Sequence, residues 1–275
     1  MGKILAALLA AGLMYGGIVK AQDGMPGAAA PAAPAEAEFR RYLALAEAGH
    51  PEAQFNVGLA YYLGQGVERD MDQALGWFQK AAGQGLAQAQ MNLAVIYNEG
   101  DGLPRDPAQA AHWFRQLAES GDEDAQYHLA YIYYTGDGLE RDYGRAAAWF
   151  QVTAEKGRAE AQNYLGSMYL KGEGLPQDPA RAFHWFSLAA EQGLAEAQYN
   201  LGLMYLDEEG GPRRDPARAA LWLTRAAGQG QPAAQYLLGL LYREGLGLEK
   251  DEQAAGQWIQ KALAAGFQPE EPQAP

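Results

Sequence analysis

The sequence predicts an all-α protein, a right-handed α/α superhelical solenoid of six helix–turn–helix repeats of about 36 residues. Three observations carry this. The Ala-Gln pair recurs at Ala53, Ala89, Ala125, Ala161, Ala197 and Ala234, in steps of 36, 36, 36, 36 and 37 residues. All six tryptophans keep the same beat, at Trp77, Trp113, Trp149, Trp185, Trp222 and Trp258. An aspartate stands seven residues ahead of each: Asp70, Asp106, Asp142, Asp178, Asp215 and Asp251. One helical hairpin cannot bury its apolar face, whereas stacked hairpins share a continuous core.

The chain opens MGKILAALLAAGLMYGGIVKAQ. Lys3 supplies a short positive start, residues 4–19 are apolar, and Val19-Lys20-Ala21 is a small-x-small cleavage site. Residues 1–21 read as a secretory signal peptide cut after Ala21. The competing reading is an uncleaved inner-membrane anchor, for which this run is short of the ~20 residues a span needs. No cysteine follows the apolar run, which excludes a bacterial lipoprotein anchor. Residues 22–37, QDGMPGAAAPAAPAEA, read as a disordered Ala/Pro linker. The solenoid is expected over residues 38–266, with a capping helix at 38–49 and repeats starting at 51, 87, 123, 159, 195 and 232; residues 267–275 read as a disordered tail.

Within a repeat, Ala125, Leu129 and Tyr133 fall at i, i+4 and i+8, one face of a first helix. Gly58, Ala94, Ala130, Gly166, Gly202 and Gly239 follow the leucine position. Glycine inside a helix costs ~1 kcal/mol against alanine, so its use predicts close approach of a neighbouring helix. A turn with two glycines follows, then aspartate as N-cap, with proline next in repeats two, four and five. The second helix carries Ala146, Trp149 and Phe150 and ends before Gly157. The one extra residue of repeat five lies in DEEGGPRRD, residues 207–215, where the helical patterns on both sides keep phase.

The unit AQxxLGxxYxxGxGxxxDxxxAxxWFxxAAxxG resembles the Sel-1-like repeat, a relative of the tetratricopeptide repeat. Repeat four, AQNYLGSMYLKGEGLPQDPARAFHWFSLAAEQG, matches each of its fixed positions, while repeat six has Ile259 where phenylalanine follows tryptophan. The resemblance implies an interaction scaffold, of which many bacterial members work in or beyond the cell envelope. A cysteine-rich branch of the family is linked to binding or hydrolysing β-lactams. This chain has no cysteine and does not look like that branch.

The absence of cysteine also removes disulfides and thiol catalysis. The formal net charge is −13. Without Lys3 and Lys20, 19 basic residues stand against 34 acidic ones, a net −15, which argues against nucleic acid and anionic lipid and fits solubility or a basic partner. No metal, cofactor or catalytic constellation is expected. His112 and His184 share a repeat position two repeats apart; His50 and His128 have no ligand pattern around them. Ser120, Ser167 and Ser187 lie in neither GxSxG nor SxxK. The Gly136-Asp137-Gly138 turns offer too few carboxylates for calcium, and Asp207, Glu208 and Glu209 read as a solvated acidic loop.

The stretch AQYHLAYIYYTGDGLERD at residues 125–142 sorts the tyrosines. Tyr133 shares its position with Tyr61, Tyr97, Tyr169, Tyr205 and Tyr242 and reads as core. Tyr127, Tyr131 and Tyr134 fall at i, i+4 and i+7, a second stripe that would face a concave groove. With Phe55, Tyr62, Tyr199 and Tyr236 at equivalent positions, the groove is expected to grip a protein or peptide through apolar anchors. Burial of the stripe between tightly wound repeats is the alternative. The function expected is an exported, monomeric, non-enzymatic adaptor, periplasmic or secreted. The two rival readings are a cell-wall or β-lactam hydrolase on a helical scaffold, and an envelope subunit docking end-on through its last repeat.

Overall fold

The computed structural model describes residues 32–207 and 214–269, and every described element is helical or a connecting turn. The chain divides into two compact units, one ending at Arg141 and the other beginning at Asp142. The first holds α1 (Ala32–Glu47), α2 (Pro51–Leu63), α3 (Met71–Gly83), α4 (Ala87–Glu99), α5 (Pro107–Glu119) and α6 (Glu123–Thr135). The second holds α7 (Tyr143–Glu155), α8 (Ala159–Lys171), α9 (Pro179–Glu191), α10 (Ala195–Leu206), α11 (Pro216–Gly228), α12 (Pro232–Glu244) and α13 (Glu252–Ala264). In each unit every helix packs against the helices before and after it in sequence, as solenoid repeats do.

Five of the hairpins are closed by the aspartate that leads the tryptophan. Its backbone N–H donates to the carbonyl of the periodic tyrosine, at 2.8–3.0 Å for Asp70, Asp106, Asp178, Asp215 and Asp251. Its carboxylate accepts from the amide three residues on, at 2.9–3.1 Å in all six repeats, an N-cap worth ~1 kcal/mol. The second helix then drives a phenylalanine into the core. Phe78, Phe114, Phe150 and Phe186 are fully buried, and Leu223 takes the place in repeat five. Truncating such a side chain to alanine costs ~3–5 kcal/mol. Tyr133, Tyr169 and Tyr205 are buried as expected, whereas Tyr61, Tyr97 and Tyr242 at the same repeat position are only half-buried.

Two glycines show why the repeat needs them. A Cβ on Gly166 would stand 2.8 Å from the Phe186 ring, so the first helix lies directly on the aromatic ring of the second. Gly138, at φ +82°, has no room either: a Cβ would stand 2.2 Å from the Pro107 carbonyl oxygen. The turn of one repeat therefore seats on the first turn of the preceding second helix.

The same seating corrects the N-terminal boundary. The linker was expected to run to residue 37, yet α1 begins at Ala32. Ala35 lies 36 residues before Met71, the first residue of α3, and its carbonyl oxygen would meet a Gly66 Cβ at 2.2 Å. Residues 32–37 are thus helical because α1 occupies the place of a preceding second helix. Alanine favours that state and Pro34 lies in the first turn, where proline is tolerated. At the other end Phe267, expected in the tail, donates its N–H to the Ala262 carbonyl at 3.0 Å and packs on Tyr236. The expected signal peptide at 1–21, the expected linker up to residue 31 and the expected tail from residue 270 lie outside the described residues.

The Ala-Gln marker has a structural role that its spacing did not disclose. Gln54, Gln90, Gln126, Gln162, Gln198 and Gln235 are all buried. Each Nε2–H donates to the carbonyl eight residues back, in the last turn of the preceding second helix, at 3.0–3.2 Å. The Oε1 atoms of Gln54, Gln162 and Gln198 accept from Gln84, Gln192 and Gln229 at 2.7–2.9 Å. In repeat six Ala265 stands where those donors stand, with the same C-cap backbone conformation, and the buried Gln235 Oε1 has no partner. Replacing Gln162 with leucine should lower the unfolding free energy by ~1–3 kcal/mol, because the Ala154 carbonyl and the Gln192 amide lose their bond. Ala265→Gln should raise it by up to ~1 kcal/mol. Chemical denaturation of Ala265→Gln, Gln235→Leu and the double variant checks this: the gain must vanish when Gln235 is absent.

Candidate partner-binding face

The first helices bury the side that carries Ala-Gln and leucine against their neighbours and leave a second stripe at the surface. In the first unit α2, α4 and α6 build this face. Phe55, Leu59 and Val95 are half-buried on one common core cluster. On α6, Tyr127 and Tyr134 are half-buried, and Tyr131 is 40% exposed. The stripe is therefore anchored at its base and open at its edge.

The seven expected groove residues divide between the units and differ in what they do. Phe55 leans on Phe78 at a centroid distance of 5.6 Å. Tyr127 meets His128 edge-on at 5.7 Å, and His128 in turn stacks on Phe114 at 4.8 Å. Tyr62 is buried, and its hydroxyl donates to the Asp101 carboxylate in the turn of the next repeat, so it ties two repeats together. Burial first, and then the hydrogen bond and negative charge of Asp101, hold its phenol far above the ordinary tyrosine value. In the second unit Tyr199 is half-buried and burial raises its pKa, while Tyr236 is covered by Phe267 at 5.0 Å.

Two exposed leucines add to these faces. Leu203 is 37% exposed at the repeat position of Tyr131, in the second unit. Leu63 is 45% exposed at the end of α2. Leu63 escaped the sequence reading because its equivalents are Glu99, Thr135 and Lys171, so comparison of repeats marks the position polar. The second unit is more polar at its face, where the Asn200 amide donates to the Asn163 carbonyl oxygen at 2.9 Å.

Several of the polar groups make local contacts. The hydroxyls of Ser120 and Ser187 donate to the Leu117 and Phe183 carbonyls, each at 2.8 Å. His112 bonds Gln116 at 3.0 Å, and His184 packs edge-on against Trp185. The turn carboxylates of Asp101 and Asp137 are engaged by Tyr62 and Arg105. Among the described residues no cluster of three or more histidines and carboxylates could hold a metal, and no helix is long and apolar enough to cross a membrane. Glu208 and Glu209 of the acidic loop lie outside the described residues.

The family model described as Sel1 repeat matches residues 51–86, 87–122, 123–157, 159–194, 195–231 and 232–267. The chain belongs to the Sel1 repeat family. Among solved structures, this Sel1 repeat chain is similar to c5321, a protective antigen of uropathogenic Escherichia coli with an SLR fold, at 33% identity and a TM-score of 0.72. That match covers 83% of this chain and 49% of the other. A Sel1 repeat protein from Oxalobacter formigenes is 36% identical at a TM-score of 0.66, over 80% of this chain and 63% of its own. The chain thus spans about half of the first and under two thirds of the second. No curated protein matches it. Sel1 repeat proteins in general mediate protein–protein interaction, typically without enzymatic activity.

Two outcomes follow from this geometry. Because the folded state raises the Tyr62 pKa, its contribution to stability is complete below the unfolded value near ~10 and is lost as pH rises above it. The wild type should therefore lose more stability between about pH 9 and 11 than Tyr62→Phe does, as read by denaturant melts across that range. The triple variant Tyr127→Ala, Tyr131→Ala, Tyr134→Ala should keep its helical circular dichroism, alanine being the strongest helix former, while partner binding weakens. Collapse of its helicity would assign the stripe to the core instead.

Proposed function

We propose that the chain is an exported adaptor of the bacterial envelope that holds a partner protein on the exposed face of its first helices. One observation carries the reading. The repeat stack closes one side of each first helix with alanine, leucine and glutamine, and the aromatic and aliphatic stripe on the other side reaches the surface at its edge, with Tyr131 40% exposed. Tyrosine suits such a face, having large contact area, few rotors and a polar tip. Membership of a family of interaction scaffolds supports the same reading. Export rests on the opening sequence, whose positive start, apolar run and small-x-small site fit a signal peptide and so support a mature chain in the periplasm or outside the cell.

The test is a photo-crosslinking amino acid at Tyr131, with the same probe at Arg181 on a second helix as control. From native envelope the Tyr131 probe should capture one discrete partner that the Arg181 probe does not. Capture from neither position, or equal capture from both, would overturn the adaptor reading. Amino-terminal sequencing of the exported protein should begin at residue 22.

A further inference from the structure

We infer that the face built by α2, α4 and α6 takes a cationic peptide segment bearing apolar anchors; this rests on the adaptor reading above and names its partner class. The argument combines shape with charge. Leu63 and Tyr131 are the exposed large hydrophobics of these helices, at 45% and 40%, with Phe55, Leu59 and Val95 half-buried behind them. The same three helices carry Glu52, Glu99, Glu123 and Asp124 and neither lysine nor arginine. An apolar strip whose own helices bear acidic and no basic residues complements a segment in which lysine or arginine flanks aliphatic or aromatic side chains, and Arg69, in the turn after α2, is held over the Tyr62 ring at 5.7 Å.

Helix stability explains part of this charge and not the rest. Glu52, Glu123 and Asp124 lie in first turns, where the helix dipole favours them. Glu99 is the last residue of α4, where the dipole favours a cation, and no basic residue occupies that last turn. The arginine at the edge of α4 does not supply a positive counterpart for a ligand. Arg105 donates to the Asn98 carbonyl at 2.6 Å and pairs with Asp137. The second unit lacks the pattern: α8 and α12 bear Lys171 and Arg243, and the Asn163–Asn200 pair interrupts its apolar strip. The cationic segment is thus assigned to the first unit.

Three fluorescein-labelled peptides of equal length test this against the full chain by anisotropy: one of lysine and leucine, one of glutamate and leucine, one of lysine and serine. At ~0.15 M salt, where the Debye length is ~8 Å, the Lys/Leu peptide should bind about tenfold tighter than either other peptide. Tyr131→Ala should weaken it about tenfold, and Glu52→Gln with Glu99→Gln should do the same. The pair Asp72→Asn and Glu119→Gln, which removes equal charge from the second helices, should leave binding unchanged. Equal loss from both charge pairs, equal affinity for Lys/Ser or Glu/Leu, or no binding of Lys/Leu would each overturn the inference. A partner crosslinked from Tyr131 through a neutral or acidic segment would overturn it too, while leaving the adaptor reading intact.

Discussion

The buried glutamine of each first helix is the bond on which the stack depends. Its amide donates to a last-turn carbonyl of the preceding second helix, one of the groups that a helix end leaves without an internal partner. That carbonyl lies in an apolar interface of alanines such as Ala189 and Ala190, where water cannot replace the glutamine. Apolar contact alone is non-directional and would tolerate sliding of one repeat over the next. A hydrogen bond at 3.0–3.2 Å, recurring eight residues after its acceptor, fixes one register for every interface. The glycine turns then complete the seating, since Gly138 admits the Pro107 backbone at a distance that no side chain would permit.

With the register fixed, the two sides of a first helix come under different constraints. Towards the second helices every position is filled by something the neighbour dictates, down to a glycine under the Phe186 ring. On the other side the backbone is just as regular, but the side chains are not. The position of Tyr131 holds Leu59, Val95, Ser167, Leu203 and Leu240 in the other repeats. A surface whose scaffold repeats while its side chains differ can specify a ligand without disturbing the fold. The tyrosines of α6 belong to this set, and Tyr133 among them does not, being buried on the periodic side.

The fold was legible because a solenoid writes its geometry as a period. Ala-Gln, Asp and Trp each recur at 36 or 37 residues, and each is tied to a contact made once per repeat. What the period hides is the partner of each contact. It marks Gln162 as required without showing that its acceptor is Ala154, and it says nothing of Tyr62 reaching Asp101. Composition misled at α1, where Ala and Pro suggest a linker, although counting 36 back from Met71 lands on Ala35 and would have placed the helix. Leu63 shows the converse failure, an exposed apolar side chain concealed because its equivalents are polar.

The same division bears on how such a chain can acquire a partner. It has no cysteine, so no disulfide supports it, and its stability is a sum over neighbouring interfaces. Any change that damages one glutamine bond or one buried phenylalanine acts on the whole stack. A change at Glu99 or Tyr131 touches side chains at the outer edge of the interfaces, and surface substitutions of that kind shift stability within ~0.5 kcal/mol. Charge and aromatic content on the first-helix face can therefore be set by the ligand, and charge on the second helices by solubility. On that reading the chain's acidic balance would have two sources rather than one. On the proposed reading, α2, α4 and α6, which carry acidic and no basic residues where α8 and α12 carry both, are where a ligand's contribution would separate from the rest.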